Sequence, residues 1–220
     1  MHMTAKLAQK PTCISRNGMH NIMKAPYYKQ TTGMTCGAAA LMMLLKFYDK
    51  KFKLDRENEF KIWRDSILMS WRASGLYGLA TVALKHGYKV TLLRQKRTVW
   101  QDIYETSINE QIGYIFKQQE AEAKKLGLRQ KIVKINIKLL RGLLKKGIPP
   151  MVLIREIKPH LALDFAHWVI VLGIDKNFVY INDSMHGKNR QIPLVLFERA
   201  LDTLPELKCG FDKEVLVITK

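Results

Sequence analysis

No apolar run in this chain approaches the ~18 residues that a membrane-spanning helix needs, so no membrane span is expected. Met1 to Lys10 contain no apolar core, and no secretory signal is expected. Cysteine is scarce: Cys13, Cys36 and Cys209 stand far apart, and an odd count of three argues against a disulfide framework. There is no CxxC pair and no zinc-ligand spacing, so neither a metal nor a cofactor is expected. Such cysteine usage fits a reducing, cytoplasmic setting. Repeats and low-complexity tracts are also missing, and no shift in composition marks an interdomain linker.

Acidic residues are few. Nineteen Asp and Glu face 37 Lys and Arg, which leaves a formal charge of +18. A field of that sign attracts nucleic acid, anionic membrane or acidic peptides. The lysines are scattered over many segments, with no Cys/His finger and no RNP-like aromatic pair among them. Nucleic acid is therefore not an expected partner. An acidic peptide or protein substrate is electrostatically favoured.

What the chain does have is apolar content: 47% over 220 residues, enough for a proper core. Residues 1–24 are polar and broken by Pro11, Asn17 and Gly18, and read as an N-terminal arm. Residues 25–220 read as one domain. Its organising stretch is Gln30 to Leu44, where a polar turn becomes an apolar, helix-forming run. The change falls on Cys36, between Thr35 and Gly37. Backbone N–H groups at a helix start have no intrahelical partner, and the dipole is positive there. Both favour thiolate, so Cys36 is a candidate nucleophile near neutral pH. Gly37 would let the backbone approach a substrate. The amide of Gln30, in the loop before the helix, is a candidate oxyanion donor beside the Cys36 N–H. Cys36 as a small core residue is the competing reading.

The remaining elements follow from spacing and breakers. Helices are expected over Cys36 to Tyr48, within Leu54 to Ser70 with Asp55 as N-cap, over Leu76 to His86 before Gly87, over Thr98 to Lys125, and over Ile137 to Lys146 behind Asn136. Strands are expected over Tyr88 to Leu93, Lys131 to Ile135, Met151 to Ile154 and Glu214 to Thr219, with a short strand and a helix within Gln191 to Leu204.

The decisive pair of strands is His167 to Ile174 and Phe178 to Asp183, joined by Asp175-Lys176-Asn177. A turn centred near Asp175 sets His167 opposite Asp183, give or take one register step. Opposite residues share a face, with Cβ atoms ~5 Å apart. An aspartate there can accept from one ring nitrogen and leave the other for a thiol, which is the base–orienter arrangement of a triad. His86 reads as surface, while His160 and His186 sit in polar loops without a strand-bound acid. Asp164 and Asn182 are the rival orienters, and Asn182 has the opposite parity to Asp183. Cys13 and Cys209 have no catalytic company.

Gln30-x5-Cys36-Gly37-x-Ala39, His167 opening an apolar strand, and Asp183 closing the next one resemble the bacteriocin leader peptidases, which are papain-like cysteine peptidases. The likeness extends through Glu59-Phe60-Lys61-Ile62-Trp63-Arg64 and Gly78-Leu79-Ala80 to Gly87-Tyr88. That segment resembles the branch found fused to, or encoded beside, N-acetyltransferases and ATP-grasp ligases. The resemblance implies an α+β papain-like fold, with a helical half carrying the nucleophile and an antiparallel sheet carrying base and orienter. By position it implies Cys36 as nucleophile, His167 as base, Asp183 as orienter and Gln30 as oxyanion donor. The implied activity is cysteine peptidase action on a leader or modified peptide through a thioester. Two features depart from the pattern. Ser184 replaces the usual proline after the acid, which implies a less rigid turn, and the transporter domains of the leader peptidases are absent. The same triad would also serve a deamidase, transglutaminase or acyl transferase, and an inactive peptide-binding module is the non-enzymatic alternative.

Overall fold

Apolar residues on both faces of the long central strands demand cover on both sides, and the fold provides it with helices above and below one sheet. The computed structural model describes residues 22–68, 72–96, 107–157, 165–206 and 212–220. The expected sites at Cys13, His160, Asp164 and Cys209 lie outside these residues, as does most of the arm.

The helical half comes first: α1 (Cys36–Tyr48), α2 (Arg56–Ser66) and α3 (Leu76–Lys85). Between α2 and α3 runs a minimal antiparallel pair, β1 (Ile67–Leu68) and β2 (Ala73–Ser74). The Asp55 side chain caps α2 by accepting from the Asn58 N–H at 2.9 Å. Then come β3 (Lys89–Arg94), α4 (Ser107–Lys125), β4 (Arg129–Ile132) and α5 (Ile137–Lys145). Asn136 caps α5 through the Leu139 N–H at 3.0 Å. The last third holds β5 (Met151–Arg155), β6 (Ala166–Ile174), β7 (Phe178–Asp183), β8 (Gly187–Pro193), α6 (Leu194–Asp202), a 3-10 turn at Leu204–Glu206, and β9 (Glu214–Thr219).

The seven-stranded sheet runs β4-β3-β9-β5-β6-β7-β8. Every pairing is antiparallel except β3 with β4. Alternation along the strands divides the core in two. Trp168, Ile170 and Leu172 of β6 pack with Leu41, Leu44 and Leu45 of α1. Val169 and Val171 pack with Leu140 of α5 and Phe197 and Leu201 of α6. Positions 36 to 45 of α1 are all buried. At about 1.5–3 kcal/mol for each large apolar side chain, this burial outweighs any cap in holding the helix.

Four details position the site. The β6–β7 register shifts between Val171 and Gly173. Leu172 at that step accepts from the Met23 N–H at 2.8 Å, which brings the segment before α1 across the sheet. Further along, Asn182 Nδ2 donates to the Pro26 carbonyl at 3.0 Å. The Gln30 N–H then donates to the Ser184 carbonyl at 2.9 Å.

Candidate active site

The Cys36 end of the site begins with a cap that does not cap. Thr35 stands at the N-cap of α1, but its hydroxyl makes no bond to the first-turn N–H groups. It is diverted to Glu59 Oε1, 2.6 Å away, and it also reaches the Thr32 carbonyl at 3.1 Å. The first-turn donors are thereby left for whatever approaches the helix mouth.

Glu59 is the anchor of this loop. It lies on α2 with no exposed surface, and its carboxylate accepts from Tyr28 OH at 2.9 Å, Thr31 N at 2.8 Å, Thr31 Oγ1 at 2.7 Å and Thr35 Oγ1. A buried carboxylate is tolerable when its lone pairs are satisfied in this way. All four donors belong to the segment leading into Cys36. Among the described residues it forms no ion pair with a cation.

Gln30 is held in the same loop. Its Nε2 donates to the Thr32 carbonyl at 2.7 Å, and its Oε1 accepts from Ser184 Oγ at 2.7 Å. Gly37 serves packing more than access. A Cβ there would lie 2.8 Å from Ser74 Cβ and 3.1 Å from Trp168 Cδ1, so the close approach it permits is to β2 and β6.

His167 and Asp183 complete the cluster, at 1% and 2% exposure. His167 Nε2 and Asp183 Oδ1 are 2.8 Å apart. Asp183 Oδ1 also accepts from the Met185 and His186 N–H groups, each at 3.0 Å, and Oδ2 pairs with Arg190 Nη1. His167 Nδ1, also buried, has no hydrogen-bond partner. The Cys36 sulfur is near enough for thiol and imidazole to shift one another, without a formed hydrogen bond at Nδ1. Looser nucleophile–base contacts are usual before substrate binds.

Electrostatics follow the geometry. Burial by itself pushes the Cys36 thiol up, but the His167 imidazole and the Trp168 and Gly37 N–H groups outweigh it, and the thiol ends below its ordinary value. Burial likewise pushes His167 down. Its hydrogen bond to Asp183, followed by the influence of the nearby Cys36 sulfur, overcomes this and raises the imidazole to about 10. Asp183 is opposed by burial too, yet the His167 bond and charge and the His186 N–H hold it well below the usual carboxylate range. A thiolate–imidazolium pair steadied by a carboxylate is the state these shifts favour. No group of three or more His, Cys, Asp or Glu among the described residues is placed to hold a metal.

A family model described as Peptidase_C39 like matches residues 25–196. The chain belongs to that family. No curated protein matches it. Among solved structures, a C39-like peptidase from Bacillus anthracis is similar at 14% identity and TM-score 0.53, over 92% of this chain and 98% of that one. A double-glycine-motif protease from an AMS/PCAT transporter, solved with its leader peptide, is similar at 18% identity and TM-score 0.50, over 90% of this chain and 92% of the other. The fold is thus α+β and papain-like, as the resemblance to the bacteriocin leader peptidases implied.

Within this C39-like chain several expectations need correction. The hairpin register is displaced: Ile170 pairs with Asn182, and continuing it sets Asp183 beside Val169, not His167. His167 and Asp183 meet as diagonal neighbours, since a two-residue displacement preserves the face. Asn182 bonds to Pro26 and to the Asn189 N–H at 3.0 Å, away from His167. His186 lies in a turn as expected; the acid its Nε2 meets, Glu156 Oε1 at 2.6 Å, sits one residue beyond β5 and is not strand-bound, and the His186 ring centroid lies 6.1 Å from that of His167. Ser184 does not loosen its turn. It has no exposed surface, and its side chain and carbonyl both hold Gln30. Glu59 was visible only as part of a motif-like segment. Its donors lie more than twenty residues away along the chain, and nothing local announces them.

Proposed function

We propose that this protein is a cysteine peptidase, with Cys36 as nucleophile, His167 as general base and acid, Asp183 as orienter and Gln30 as oxyanion donor. The observation that carries the reading is His167: one ring nitrogen bonded to Asp183, the other buried and unbonded on the side of a thiol with lowered proton affinity.

In the proposed cycle, His167 Nδ1 takes the Cys36 proton and the sulfur adds to a peptide carbonyl carbon. The carbonyl oxygen becomes an oxyanion, received by the Cys36 N–H at the uncapped start of α1 and by the second amide hydrogen of Gln30. Collapse breaks the C–N bond, and the departing amine takes the proton from His167. Water, deprotonated by His167, then opens the thioester and releases the acid. The C39 family description and the fold support peptidase chemistry, and the leader peptide bound to a related protease supports a peptide as substrate. We assign the chain to the branch encoded beside N-acetyltransferases and ATP-grasp ligases on its Glu59–Arg64 and Gly78–Tyr88 segments, which inspection of neighbouring genes would test. The free Cys36 thiol suits a reducing cytoplasm, and the family match from residue 25 suits a domain over 25–220 with an arm before it.

The test is exposure of a mixed peptide library to wild type and Cys36→Ala, read by mass spectrometry. Chain scission by wild type and none by the variant is expected. Scission that survives Cys36→Ala would refute the reading. An amide-to-acid mass change without scission would move the assignment to a deamidase.

A further inference from the structure

Ser184 makes two bonds to one residue. Its hydroxyl donates to Gln30 Oε1 at 2.7 Å, and its carbonyl accepts from the Gln30 N–H at 2.9 Å. It is wholly buried and directly follows Asp183. An amide side chain can sit either way round in most sites. Here the surroundings decide. With Oε1 on the Ser184 hydroxyl, Nε2 faces the Thr32 carbonyl at 2.7 Å and bonds it. Reversed, two carbonyl oxygens would oppose each other at that distance, and the Thr32 acceptor would lose a donor. One amide hydrogen is then committed to Thr32, and the second has no acceptor among the described residues.

Thr35 Oγ1 shares its one hydroxyl hydrogen between Glu59 Oε1 at 2.6 Å and the Thr32 carbonyl at 3.1 Å. The bonds therefore form a continuous path from Asp183 through Ser184, Gln30 and Thr32 to Thr35 and the mouth of α1. A proline after the acid has no hydroxyl and would leave Gln30 Oε1 without this donor.

We propose that Ser184 is a positioning residue that fixes the Gln30 amide with a donor hydrogen free for the oxyanion. This rests on the peptidase reading above and deepens it: the serine couples the orienter's strand end to the oxyanion donor. It touches neither substrate nor sulfur, and acts only through Gln30.

The experiment compares wild type, Ser184→Ala, Gln30→Ala and the double variant. Three readouts are taken: library cleavage, reaction of Cys36 with a peptide aldehyde, and alkylation by iodoacetamide. The aldehyde forms an S–C bond and turns its carbonyl oxygen into an oxyanion, so it needs the donor; alkylation displaces iodide and does not. Losing an oxyanion donor outright costs about 10²–10³ in kcat, so loosening one should cost about tenfold. Ser184→Ala is expected to show that loss in kcat and in aldehyde affinity, with KM and alkylation rate unchanged. In the Gln30→Ala background it should cost nothing further, because its only route is gone. An equal loss in both backgrounds, or a matching fall in alkylation, would mean a merely structural role and overturn the proposal. Cleavage abolished by Cys36→Ala but untouched by Ser184→Ala would overturn Ser184's role alone. Cleavage that survives Cys36→Ala would overturn the peptidase reading instead.

Discussion

Two buried carboxylates, Glu59 beside the loop into α1 and Asp183 at the end of β7, are used in opposite ways. Glu59 has no exposed surface, and its four donors are all neutral: one phenol, two threonine hydroxyls and one backbone N–H. Asp183 is 2% exposed and takes two backbone N–H groups as well, but its other partners are an imidazole and a guanidinium. Either charge left bare inside the protein would cost several kcal/mol. Both are satisfied, yet the consequences differ. Neutral donors let Glu59 tie a loop in place, and its hydrogen bond, after burial, pushes the Tyr28 phenol up to about 12, so that donor keeps its proton. An imidazole partner lets Asp183 act on proton affinity, raising His167 and through it lowering Cys36. One acid sets where the loop lies; the other sets which groups are charged.

Substituting each acid by its amide separates these roles. Asp183→Asn should give the larger effect: the amide oxygen can still accept from His167, but the charge that raises the imidazole is gone, and kcat should fall by up to about 10³–10⁴. The pH profile should narrow as well. On the proposed mechanism the pair acts with Cys36 ionised and His167 protonated, and the raised His167 keeps its imidazolium until about pH 10. Without the carboxylate that upper limb should move down, which a rate profile between pH 5 and 10 would record. An unmoved upper limb would contradict the electrostatic role.

Stability should follow the same logic. The raised His167 contributes stability that is complete below its unfolded value of 6.5 and is lost as pH rises through about 10. The depressed Asp183 contributes stability that is complete above its unfolded 3.8 and is lost as pH falls through its folded value. The melting-temperature gap between wild type and Asp183→Asn should therefore be widest between these two unfolded values and shrink on either side. A gap that stays flat with pH would argue against the coupling.

Glu59→Gln comes next. Its amide would turn hydrogens toward a ring of donors, at a cost of about 1–3 kcal/mol in unfolding free energy. A nucleophile displaced by about 1 Å can lose 10²-fold in rate, and that is the expected fall in kcat for any fraction that folds. The upper pH limb should stay where it is in wild type. A shift like that of Asp183→Asn would erase the contrast between the acids. Arg190→Gln should be mildest. Its side chain is 25% exposed, and a partly solvated pair is worth up to about 1 kcal/mol, roughly fivefold in rate.

Much of this was legible from residue order, for identifiable reasons. α1 declared itself because Leu41, Leu44, Leu45 and Tyr48 recur on one face, and α2 and α5 because Asp55 and Asn136 are cap residues whose side chains do cap. The β6–β7 hairpin was marked by its apolar run and Asp175, whose Oδ1 accepts from the Asn177 and Phe178 N–H groups. Its register was not, because the shift between Val171 and Gly173, where Leu172 instead accepts from the remote Met23 N–H, has no signal in the local sequence. β4 begins at Arg129, two residues earlier than expected, because its Arg-Gln-Lys surface shows no alternation. β8 likewise starts at Gly187, with mostly polar residues held by pairing to β7. β1 and β2 are too short for any period to show. In the site, Cys36, His167 and Asp183 stood out by residue type and position. Glu59 and Ser184 did not, because a residue whose partners are all remote in sequence leaves no local pattern.

The last strand carries a consequence for synthesis. β9 lies mid-sheet, joined to β3 on one side and to β5 on the other. Synthesis delivers these residues after all the other strands described, so until then β3 and β4 have no hydrogen-bonded path through the sheet to the strands bearing His167 and Asp183. A nascent chain lacking 214–219 should remain protease-sensitive, and the enzyme proposed here would have no active form while its own translation is under way.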